Sequence, residues 1–486
     1  MFRRILIANR GEIAVRVIRA CREAGIESVA VFSDADASAL HVTLADRAVR
    51  IGPPEPAASY LSSDAVLAAA RDTGAEAIHP GYGFLSENED FAEACAANGI
   101  VFIGPPPGAI RRMGSKIAAR ETAGAAGAPL VPGDTPADQS DESIMAAARR
   151  VGFPVLLKPS AGGGGIGMKT VRDEAALATA VAQAKREAVN AFGDGTLYVE
   201  RLIEQPRHIE IQIIGDRHGN VVHLFERECS LQRRHQKIVE ESPSPVLTPA
   251  LRERMGEAAV AIARAAGYSN AGTIEFLLEG DRFYFLEMNT RLQVEHPVTE
   301  QVTGVDLVRA QFAVAAGEVL PWTQTGLSQR GHAIEARVYA EDPAQNDLPQ
   351  AGPLLLYRQP TGPGVRVDAG VTEGSEIGVH YDPMIAKLIC SGETREQARQ
   401  RAVAALKDFP ILGVRSNVPF LIRLLEHPRF IAGDISTRFL EEEGDALRAS
   451  LQVDPGDAVH ALAAASRTLA PSHLRTVAPD PWDSRG

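Results

Sequence analysis

The sequence lacks the features that mark several common classes of protein. In 486 residues, no apolar run approaches the roughly 20 residues that a membrane span requires. The first residues, Met-Phe-Arg-Arg-Ile-Leu-Ile-Ala-Asn, lack the long apolar stretch and the small-residue cleavage site of a signal peptide. The four cysteines are widely separated and show no C-x-x-C spacing. These absences argue against a disulfide scaffold and a cysteine zinc site, and they predict a reduced, cytoplasmic enzyme.

Positively charged residues are also fewer than negatively charged ones. Lys plus Arg number 50 against 62 Asp plus Glu, so the formal net charge is −12 at pH 7. This balance argues against general affinity for nucleic acid or anionic membranes, although it permits local basic pockets. Apolar residues make up 45% of the chain, which supplies a sizeable core, and the length predicts about three domains.

The first block of the chain alternates short apolar strands with amphipathic helices. Residues 3–8 predict a buried strand, Gly11 and Glu12 open a helix, and residues 28–32 predict a second strand. The same alternation continues to residue 103. Repeated βαβ units of this kind favour a parallel sheet covered by helices.

The middle and last blocks follow a different pattern. After the glycine-rich loop at 162–167 come several strands, including 208–214 and 282–289. This order predicts an α+β domain and not a second doubly wound unit. A third block of short strands and a helix begins near Gly331, and residues 447–486 predict a tail or linker rich in Ala, Pro, Asp and Ser.

A cluster of glycines follows Lys158. Gly162, Gly164 and Gly167 fit G-x-G-x-x-G, but the loop joins two predicted strands, whereas a dinucleotide-binding loop joins a strand to a helix. Such a loop suits a hairpin whose backbone N–H groups cover phosphates, with Lys158 supplying positive charge. The alternative is a simple surface hairpin, and the density of glycines favours phosphate binding.

Polar and apolar side chains alternate around residue 290. In Glu-Met-Asn-Thr-Arg-Leu-Gln-Val-Glu, one face carries Glu287, Asn289, Arg291, Gln293 and Glu295 if the strand continues to residue 295. The same face carries Phe283 and Phe285, so the polar row is expected to leave a core and enter a cleft. A solvated edge strand would show a similar pattern. Buried carboxylates need partners, which favours a site for a divalent cation. The oxygen ligands expected for this cation are Glu275, Glu287 and Asn289.

The hairpin that carries these carboxylates sets a geometric condition. A two-residue turn at Gly280-Asp281 would place Glu275 and Glu287 on opposite faces. A site shared by both carboxylates therefore requires a three-residue loop or a β-bulge in this hairpin.

One cationic segment, Gln-Arg-Arg-His-Gln-Lys at 232–237, interrupts the acidic sequence. Glutamates flank it on both sides, so a solvated, self-compensated surface is as good an interpretation as an anion site. Arg337 lies in an alternating strand, where an ordinary salt bridge is the simpler interpretation. Together with Arg291 these cations would line an anion site, but their spacing alone does not bring them together.

Four longer motifs match a known family. They are His-Pro-Gly-Tyr-Gly-Phe-Leu-Ser-Glu-Asn at 79–88, Met-Gly-Ser-Lys at 113–116, Glu-Arg-Glu-Cys-Ser-Leu-Gln-Arg-Arg-His-Gln-Lys at 226–237, and Glu-Met-Asn-Thr-Arg-Leu-Gln-Val-Glu-His-Pro-Val-Thr-Glu at 287–300. Over residues 2–446 the chain resembles the biotin carboxylases, the ATP-grasp components of biotin-dependent acyl-CoA carboxylases. Motifs of this length do not agree by chance.

The resemblance implies a multidomain fold of the α/β and α+β classes. The expected parts are a Rossmann-like N-terminal domain at 1–113, an ATP-grasp domain at 114–330 with a mobile lid at about 131–203, a C-terminal α+β domain at 331–446, and a tail or linker at 447–486. The lid is expected to close over the bound nucleotide.

The resemblance also implies roles for individual residues. The expected ATP contacts are Lys116, Lys158, Gly164, Gly165, Glu200, Arg201, Leu202, Ile203, His208, Gln232 and His235, together with Glu275 and Glu287. The expected Mg²⁺ or Mn²⁺ ligands are Glu275, Glu287 and Asn289, and the expected bicarbonate contacts are Lys237, Arg291, Gln293 and Val294. The implied catalytic residues are Lys237, Arg291, Glu295 as general base, and Arg337 as the group that stabilises ionised biotin.

The implied reaction is the carboxylation of biotin by ATP and bicarbonate through carboxyphosphate, the first half-reaction of enzymes such as acetyl- or propionyl-CoA carboxylase. The implied cofactors are ATP, Mg²⁺ or Mn²⁺, and biotin on a separate carrier. The implied partners are a biotin carboxyl carrier protein and a carboxyltransferase subunit, within a homodimer and without nucleic acid or membrane. The final acceptor stays open among acetyl-, propionyl- and methylcrotonyl-CoA, pyruvate and urea.

The sequence departs from the family pattern at a few places. Family members often carry a basic residue at the position of Ile166 and a small residue at that of Pro159, so lid closure and nucleotide affinity are expected to differ. No lysine lies between two methionines as in a biotin carrier, and no lysine follows Lys407. The biotin acceptor is therefore expected on another chain or on a segment outside this sequence. The region beyond residue 446 resembles the start of the connecting region in longer carboxylase α-chains.

Two other functions stay open from the sequence. Another ATP-grasp carboxylate ligase would share Lys116, Lys158 and the metal ligands, but it has no use for a pair of Glu295 and Arg337. A catalytically silent scaffold subunit would organise a carboxylase without turnover. ATPase activity that depends on bicarbonate and rises with free biotin distinguishes these alternatives.

Overall fold

The computed structural model of the chain describes residues 1–160, 167–234 and 236–449. The predictions at Gly164, Gly165, Ile166 and His235, and those for residues 450–486, lie outside this range. Among the residues described, no helix combines the length and the apolar character needed to cross a bilayer.

The first block folds into a parallel sheet with flanking helices. Its elements are β1 (Arg4–Ile7), α1 (Gly11–Glu23), β2 (Glu27–Ser33), α2 (Leu40–Leu44), β3 (Arg47–Gly52), α3 (Ser63–Thr73), β4 (Ala77–His79), α4 (Glu89–Ala97), β5 (Val101–Phe102) and α5 (Pro107–Gly114). The strand order is β3-β2-β1-β4-β5, with every neighbouring pair parallel. This order confirms the Rossmann-like N-terminal sheet.

After Arg4, the central strand β1 is apolar, because helices cover both faces of the sheet. Ile5 and Ile7 of β1 pack in one core with Ile13 and Val17 of α1, whereas Leu6 faces a second core on the other side. The apolar side chains on one face of β1 therefore pack against the apolar face of α1.

The next segment forms a small lobe with its own sheet. Helix α6 (Lys116–Ala125) leads into this lobe, whose elements are β6 (Gly133–Asp134), α7 (Asp141–Val151), β7 (Val155–Pro159), β8 (Lys169–Val171), α8 (Glu174–Phe192) and β9 (Leu197–Arg201). The antiparallel order is β6-β9-β7-β8, and Ile144, Leu157, Leu177 and Val199 belong to a core separate from those of the rest of the chain. Since β7 pairs with β8, the glycine-rich loop joins strand to strand as predicted.

The remaining strands build one large antiparallel sheet and several short ladders. The elements of the middle region are β10 (Arg207–Gly215), β11 (Val221–Arg233), β12 (Gln236–Ser242), α9 (Pro249–Ala265), β13 (Asn270–Glu279), β14 (Arg282–Asn289), α10 (His296–Thr303) and α11 (Leu307–Ala315). Those of the last region are β15 (His332–Tyr339), β16 (Glu341–Asp342), β17 (Leu348–Pro349), β18 (Gly352–Pro353), β19 (Leu356–Tyr357), β20 (Val365–Ala369), β21 (Glu376–Ile377), β22 (Met384–Gly392), α12 (Arg395–Lys407), β23 (Ile411–Leu412), α13 (Val418–Glu426), α14 (Pro428–Ile431), α15 (Phe439–Glu442) and α16 (Gly444–Ala449).

The large sheet runs β14-β13-β10-β11-β12-β15-β22-β20 and is continuous between the middle and last regions through the β12–β15 pair. Helices α5, α6 and α9 cover one face of its middle strands, where Met255, Ile262, Ile274 and Phe276 share a core. Helix α10 lies on the opposite face, against β11, β12, β15 and β22. That second face carries the ionisable side chains of the candidate site.

Candidate active site

The hairpin of β13 and β14 contains a β-bulge. It pairs Phe276 with Phe285 near the turn and Glu275 with Glu287 one step further, which leaves Leu286 as the extra residue. The bulge therefore places Glu275 and Glu287 directly opposite each other on one face of the hairpin. The condition that the sequence set for a shared cation site is confirmed.

The bulge also changes which side chains share a face. Phe283, Phe285 and Met288 lie in the core on the side opposite Glu287, so the predicted placement of the two phenylalanines on the carboxylate face is wrong. A period-two count assumes an unbroken strand, and one extra residue inverts every assignment beyond it.

Strand β14 ends at Asn289, as predicted, so the assignment of the polar residues beyond it to one strand face up to residue 295 is wrong. Residues 290–295 form an irregular segment that leads into α10, with Glu295 as the residue before the first helical position. The side chain of Leu292 is fully buried and anchors this segment. Pro297 lies in the first turn of α10, where its missing N–H removes no helical hydrogen bond. Alternation alone does not distinguish such a segment from a strand.

Two adjoining cavities collect the predicted site residues. One, of about 450 Å³, is lined by Lys116, Lys158, His208, Gln232, Lys237, Glu275, Glu287, Asn289, Arg291, Gln293, Val294, Glu295 and Arg337. The other, of about 630 Å³, shares Lys158, His208 and Gln232 with the first and is also lined by Glu200, Arg201, Leu202 and Ile203. Every predicted site residue in the described part of the chain therefore lines one of the two cavities. Gly164, Gly165 and His235 lie outside that part.

Lys237 lines the smaller cavity and contacts three carboxylates. Its Nζ is 2.8 Å from Glu275 Oε1 and 2.6 Å from Glu295 Oε1, and it also contacts Glu210. The ammonium group thus joins the carboxylates of two strands and of the segment before α10. The interpretation of 232–237 as a solvated surface is wrong for this residue, because β11 and β12 form a hairpin whose second strand carries Lys237 inward.

Arg337 on β15 links Glu295 to a further carboxylate. Its Nε donates to Glu240 Oε1 at 2.6 Å, and one terminal nitrogen donates to Glu295 Oε2 at 2.9 Å. The ordinary salt bridge expected for Arg337 is present, and it holds the general-base candidate. Glu295 therefore lies between Lys237 and Arg337, one cation on each carboxylate oxygen.

These contacts set the protonation of the carboxyl groups. Burial alone would raise the pKa of Glu295, but Lys237 and Arg337 outweigh it and hold that pKa well below its ordinary value. Burial likewise acts against ionised Glu275, and Lys237 with His208 lowers its pKa well below normal. In contrast, burial and the charge of Glu275 raise the pKa of Glu287.

Four short hydrogen bonds hold the rest of the irregular segment. Arg291 Nε donates to Glu87 Oε2 at 2.8 Å, and another nitrogen of Arg291 donates to Asn289 Oδ1 at 2.9 Å. Gln293 donates to Glu275 Oε1 at 2.9 Å. The backbone oxygen of Val294 accepts from Lys387 at 2.7 Å. The segment is therefore held beside the cavity by neighbours in three regions of the chain.

Lys158 and Glu200 are residues of the small lobe that line the cavities. Lys158 Nζ donates to Glu200 Oε2 at 3.0 Å and lies 5.3 Å from the centre of the Tyr198 ring. Burial opposes the charge on Lys158, but Glu200 and Tyr198 outweigh it and raise its pKa. Burial lowers the pKa of Lys116, which begins α6 and lines the same cavity.

Glu275, Glu287 and Asn289 fit a hard divalent cation. Glu275 pairs with Glu287, and Thr273 pairs with Asn289, so the three oxygen-bearing side chains extend from one face of the hairpin. Two carboxylates that face each other repel, and a cation between them removes that repulsion. Carboxylate and amide oxygens are the donors that Mg²⁺ and Mn²⁺ prefer.

Arg227, which was not among the predicted site residues, organises the buried network. The Arg227 side chain is fully buried and donates to Glu210, to Gln212 at 2.7 Å, to Thr299 at 3.0 Å and to Gln293 at 2.8 Å. The signal for its partners was present, because polar residues at 208, 210 and 212 alternate with isoleucines along β10. For Arg227 itself, nothing in the local sequence distinguishes it from its charged neighbours.

Three family models cover most of the chain. The biotin carboxylase N-terminal domain matches residues 1–110, the ATP-binding domain of the carbamoyl-phosphate synthase L chain matches residues 115–323, and the biotin carboxylase C-terminal domain matches residues 335–442. The three matches follow one another along the chain and, with short gaps between them, span residues 1–442.

Individual relatives and solved structures agree with these matches. A biotin carboxylase from Halalkalibacterium halodurans is 52% identical over 90% of this chain and 97% of its own. The mitochondrial methylcrotonoyl-CoA carboxylase subunit alpha of Oryza sativa is 53% identical over 93% of this chain, which spans 62% of that longer subunit.

Two solved structures have the same architecture. The biotin carboxylase domain dimer of 2-oxoglutarate carboxylase from Hydrogenobacter thermophilus, in complex with MgADP, ADP and bicarbonate, is 46% identical with a TM-score of 0.88 over 92% of this chain and 99% of its own. Biotin carboxylase from Campylobacter jejuni, with a nucleotide bound, is 44% identical with a TM-score of 0.88 over 91% and 99% of the two chains. The chain belongs to the biotin carboxylase family.

Proposed function

We propose that this protein uses ATP and bicarbonate to carboxylate biotin that a separate carrier presents. The observation that carries the proposal is the position of Glu295, whose two carboxylate oxygens meet Lys237 at 2.6 Å and Arg337 at 2.9 Å beside the Glu275–Glu287 pair. A base that lies between two cations and beside a cation-binding face is suited to deprotonate bicarbonate next to the triphosphate of ATP.

Bicarbonate binds near Arg291, Gln293 and Val294 in this proposal, and Glu295 accepts its proton. In the unliganded site the two cations keep Glu295 ionised but make it a weak base. An arriving anion shares those cations, which weakens their hold on Glu295 and raises its affinity for a proton. The oxygen freed of its proton then attacks the γ-phosphorus of ATP, ADP leaves, and carboxyphosphate forms.

The triphosphate lies where the two cavities adjoin. Lys116 and Lys158 neutralise its charge, and His208 and Gln232 line the passage between the nucleotide cavity and the acidic face. A divalent cation held by Glu275, Glu287 and Asn289 would supply charge neutralisation and alignment of the phosphates. The separate core of the small lobe supports its closure as a lid over about 131–203, which keeps water from the intermediate.

The second step transfers the carboxyl group to biotin. Carboxyphosphate releases CO2 and phosphate, the phosphate takes the ureido proton, and the ureido nitrogen forms a bond to CO2. Arg337 stabilises the negative charge that develops on the ureido oxygen. The carrier protein, a carboxyltransferase partner, a homodimeric assembly and a cytoplasmic location belong to this proposal. The final carboxyl acceptor depends on the transferase.

The substitution Glu295→Gln tests the proposal. It keeps the shape of the side chain and removes the base, so biotin-dependent ATP turnover is expected to fall by about 10²- to 10⁴-fold. Purified protein is assayed for ATP hydrolysis with and without bicarbonate and free biotin. Glu396→Gln, on the exposed side of α12 next to Arg399, is the matched control and should retain full turnover.

Two results would contradict the proposal. Turnover that does not require bicarbonate would favour another ATP-grasp ligase. Equal turnover in Glu295→Gln and wild type would remove Glu295 as the base. Circular dichroism and the melting temperature of Glu295→Gln separate loss of chemistry from loss of folding.

A further inference from the structure

Behind Arg337, strands β12 and β15 place two glutamates opposite each other. Glu240 pairs with Glu335 in the antiparallel ladder, and the side chains of both are completely buried. Residues in such a position have their Cβ atoms about 4.5–5.5 Å apart and share a face of the sheet. Arg337, two residues along β15, extends from the same face and donates to Glu240.

Most of the oxygens of this pair have no hydrogen-bond partner. Among the described residues, neither Glu240 Oε2 nor either oxygen of Glu335 receives a hydrogen bond. Two ionised carboxylates in this position would be desolvated, unsatisfied and mutually repulsive. One added proton removes the repulsion and supplies a donor within the pair.

We infer that Glu240 and Glu335 share one proton, with Glu335 as the protonated member, and that this carboxyl pair positions the guanidinium of Arg337 against Glu295. The consequence for turnover rests on the role of Arg337 proposed above, whereas the shared proton does not.

The surrounding charges favour Glu335 as the member that keeps the proton. Glu240 faces Arg337, Glu295 and Lys237, and Arg337 binds it directly. Glu335 faces Lys387 as well, but the ammonium of Lys387 donates to Val294 and lies 3.3 Å from Glu12.

Burial is the main cause of the altered protonation of both glutamates. It raises the pKa of Glu240 to about 7 and that of Glu335 well above its ordinary value. In each case the neighbouring cations oppose the shift, and the neighbouring carboxylates add to it.

A neutral Glu335 explains the orientation of Arg337. If Glu335 were ionised, it would compete for the guanidinium from the same strand and draw it away from the cavity. With Glu335 protonated, Arg337 keeps one carboxylate partner behind it, Glu240, and one in front of it, Glu295. The guanidinium is therefore held at the edge of the cavity with its charge balanced.

Infrared difference spectroscopy on the resting protein tests the shared proton directly. Wild type minus Glu335→Gln should show the C=O band of a protonated carboxylic acid at neutral pH, with the shift expected on exchange into D2O. Glu241→Gln is the matched control, because Glu241 is the buried neighbour of Glu240 and pairs with His332 and Arg395. A spectrum without an acid band in the Glu335 difference would overturn the inference.

The pH dependence of stability gives a second readout. Glu335 keeps its proton in the folded chain, whereas an unfolded glutamate loses it above about pH 4.3. Wild-type stability therefore falls as pH rises through this window, and Glu335→Gln lacks that loss. Its melting temperature should rise relative to wild type from about pH 5 to about pH 8.

Glu396 gives the opposite expectation. Its hydrogen bonds with Arg399 lower its pKa, so its linkage window lies below about pH 4.3. The melting temperature of Glu396→Gln relative to wild type should therefore stay level from about pH 5 to about pH 8. Level behaviour in both variants would contradict a protonated Glu335.

Kinetics test the positioning role. Glu240→Gln removes the carboxylate behind Arg337, and biotin-dependent turnover should fall about tenfold. Bicarbonate-dependent ATPase without biotin should fall by less, because Arg337 acts on biotin directly in the proposed function but on bicarbonate only through its contact with Glu295. Equal loss of both activities would make Glu240 merely structural. If wild type shows no response to biotin, the proposed function fails, and the spectra and melting curves still decide the shared proton.

Discussion

Buried cations are held in different ways on the two sides of the active-site cavity. In the small lobe, Lys158 has Glu200 as its carboxylate partner at 3.0 Å. On the large sheet, Lys237 contacts three carboxylates, and Arg227 donates to five side chains. A cation with one partner can exchange it for a phosphate at low cost, whereas a shared network resists displacement. The sheet thus keeps a fixed geometry, and the lobe is suited to respond to the nucleotide.

Arg227→Met should break the sheet side of this comparison and have the largest effect on folding. The substitution removes one of the two cations of the buried Glu210 and leaves several buried polar groups without their donor, so unfolding free energy should fall by about 3–5 kcal/mol. Urea unfolding followed by circular dichroism measures the change. A loss below about 1 kcal/mol would mean that the network contributes little to stability.

Lys387→Met should have an intermediate effect, because it removes the cation that ties the segment before α10 to β22. The backbone oxygen of Val294 loses its donor at 2.7 Å, and Glu12 loses its cation. We expect a loss of about 1–3 kcal/mol in unfolding free energy. The KM for bicarbonate should rise by about tenfold, since Val294 and Glu295 are then less well positioned.

The comparison of the KM for bicarbonate with the KM for ATP makes the Lys387 result decisive. ATP-dependent turnover is measured against bicarbonate concentration, with the KM for ATP as the internal control. A KM for bicarbonate that stays at the wild-type value would show that the segment does not need Lys387 for its position.

Lys158→Met should have the smallest effect on folding and should sharpen the comparison. Arg120 also contacts Glu200, so the carboxylate keeps a cation and the loss of unfolding free energy should be about 1 kcal/mol. The apparent affinity for ATP should fall by about tenfold, because a charge-assisted contact to phosphate is lost. Isothermal titration with ATP measures it, and an unchanged affinity would contradict the placement of the triphosphate.

Much of the fold follows from local sequence pattern. The alternation of apolar strands and amphipathic helices predicted the parallel sheet of the first block, and strand 282–289 was predicted with the bounds that it has. The bulge is one of the two ways, with a three-residue loop, that the stereochemical condition allowed for Glu275 and Glu287 to share a face. These features depend on the backbone period of short segments, which the sequence carries directly.

The placement of the charged groups did not follow from local pattern. The polar row was interpreted as if the strand continued to residue 295, but the strand ends at Asn289, and the segment beyond it is positioned by contacts from Glu87, Arg227 and Lys387. These partners lie far away along the chain, and alternation of residue types carries no information about them.

By itself, the sequence determined the chemical groups, the periods of the strands and helices, and a resemblance strong enough to indicate the reaction. Only the tertiary structure decided which carboxylate faces which cation. Glu295 lies 58 residues from Lys237 and 42 from Arg337, yet one carboxylate bridges both. The physical reason is that the protonation and basicity of a buried group depend on the field of its neighbours in space, and that field exists only once the strands have paired.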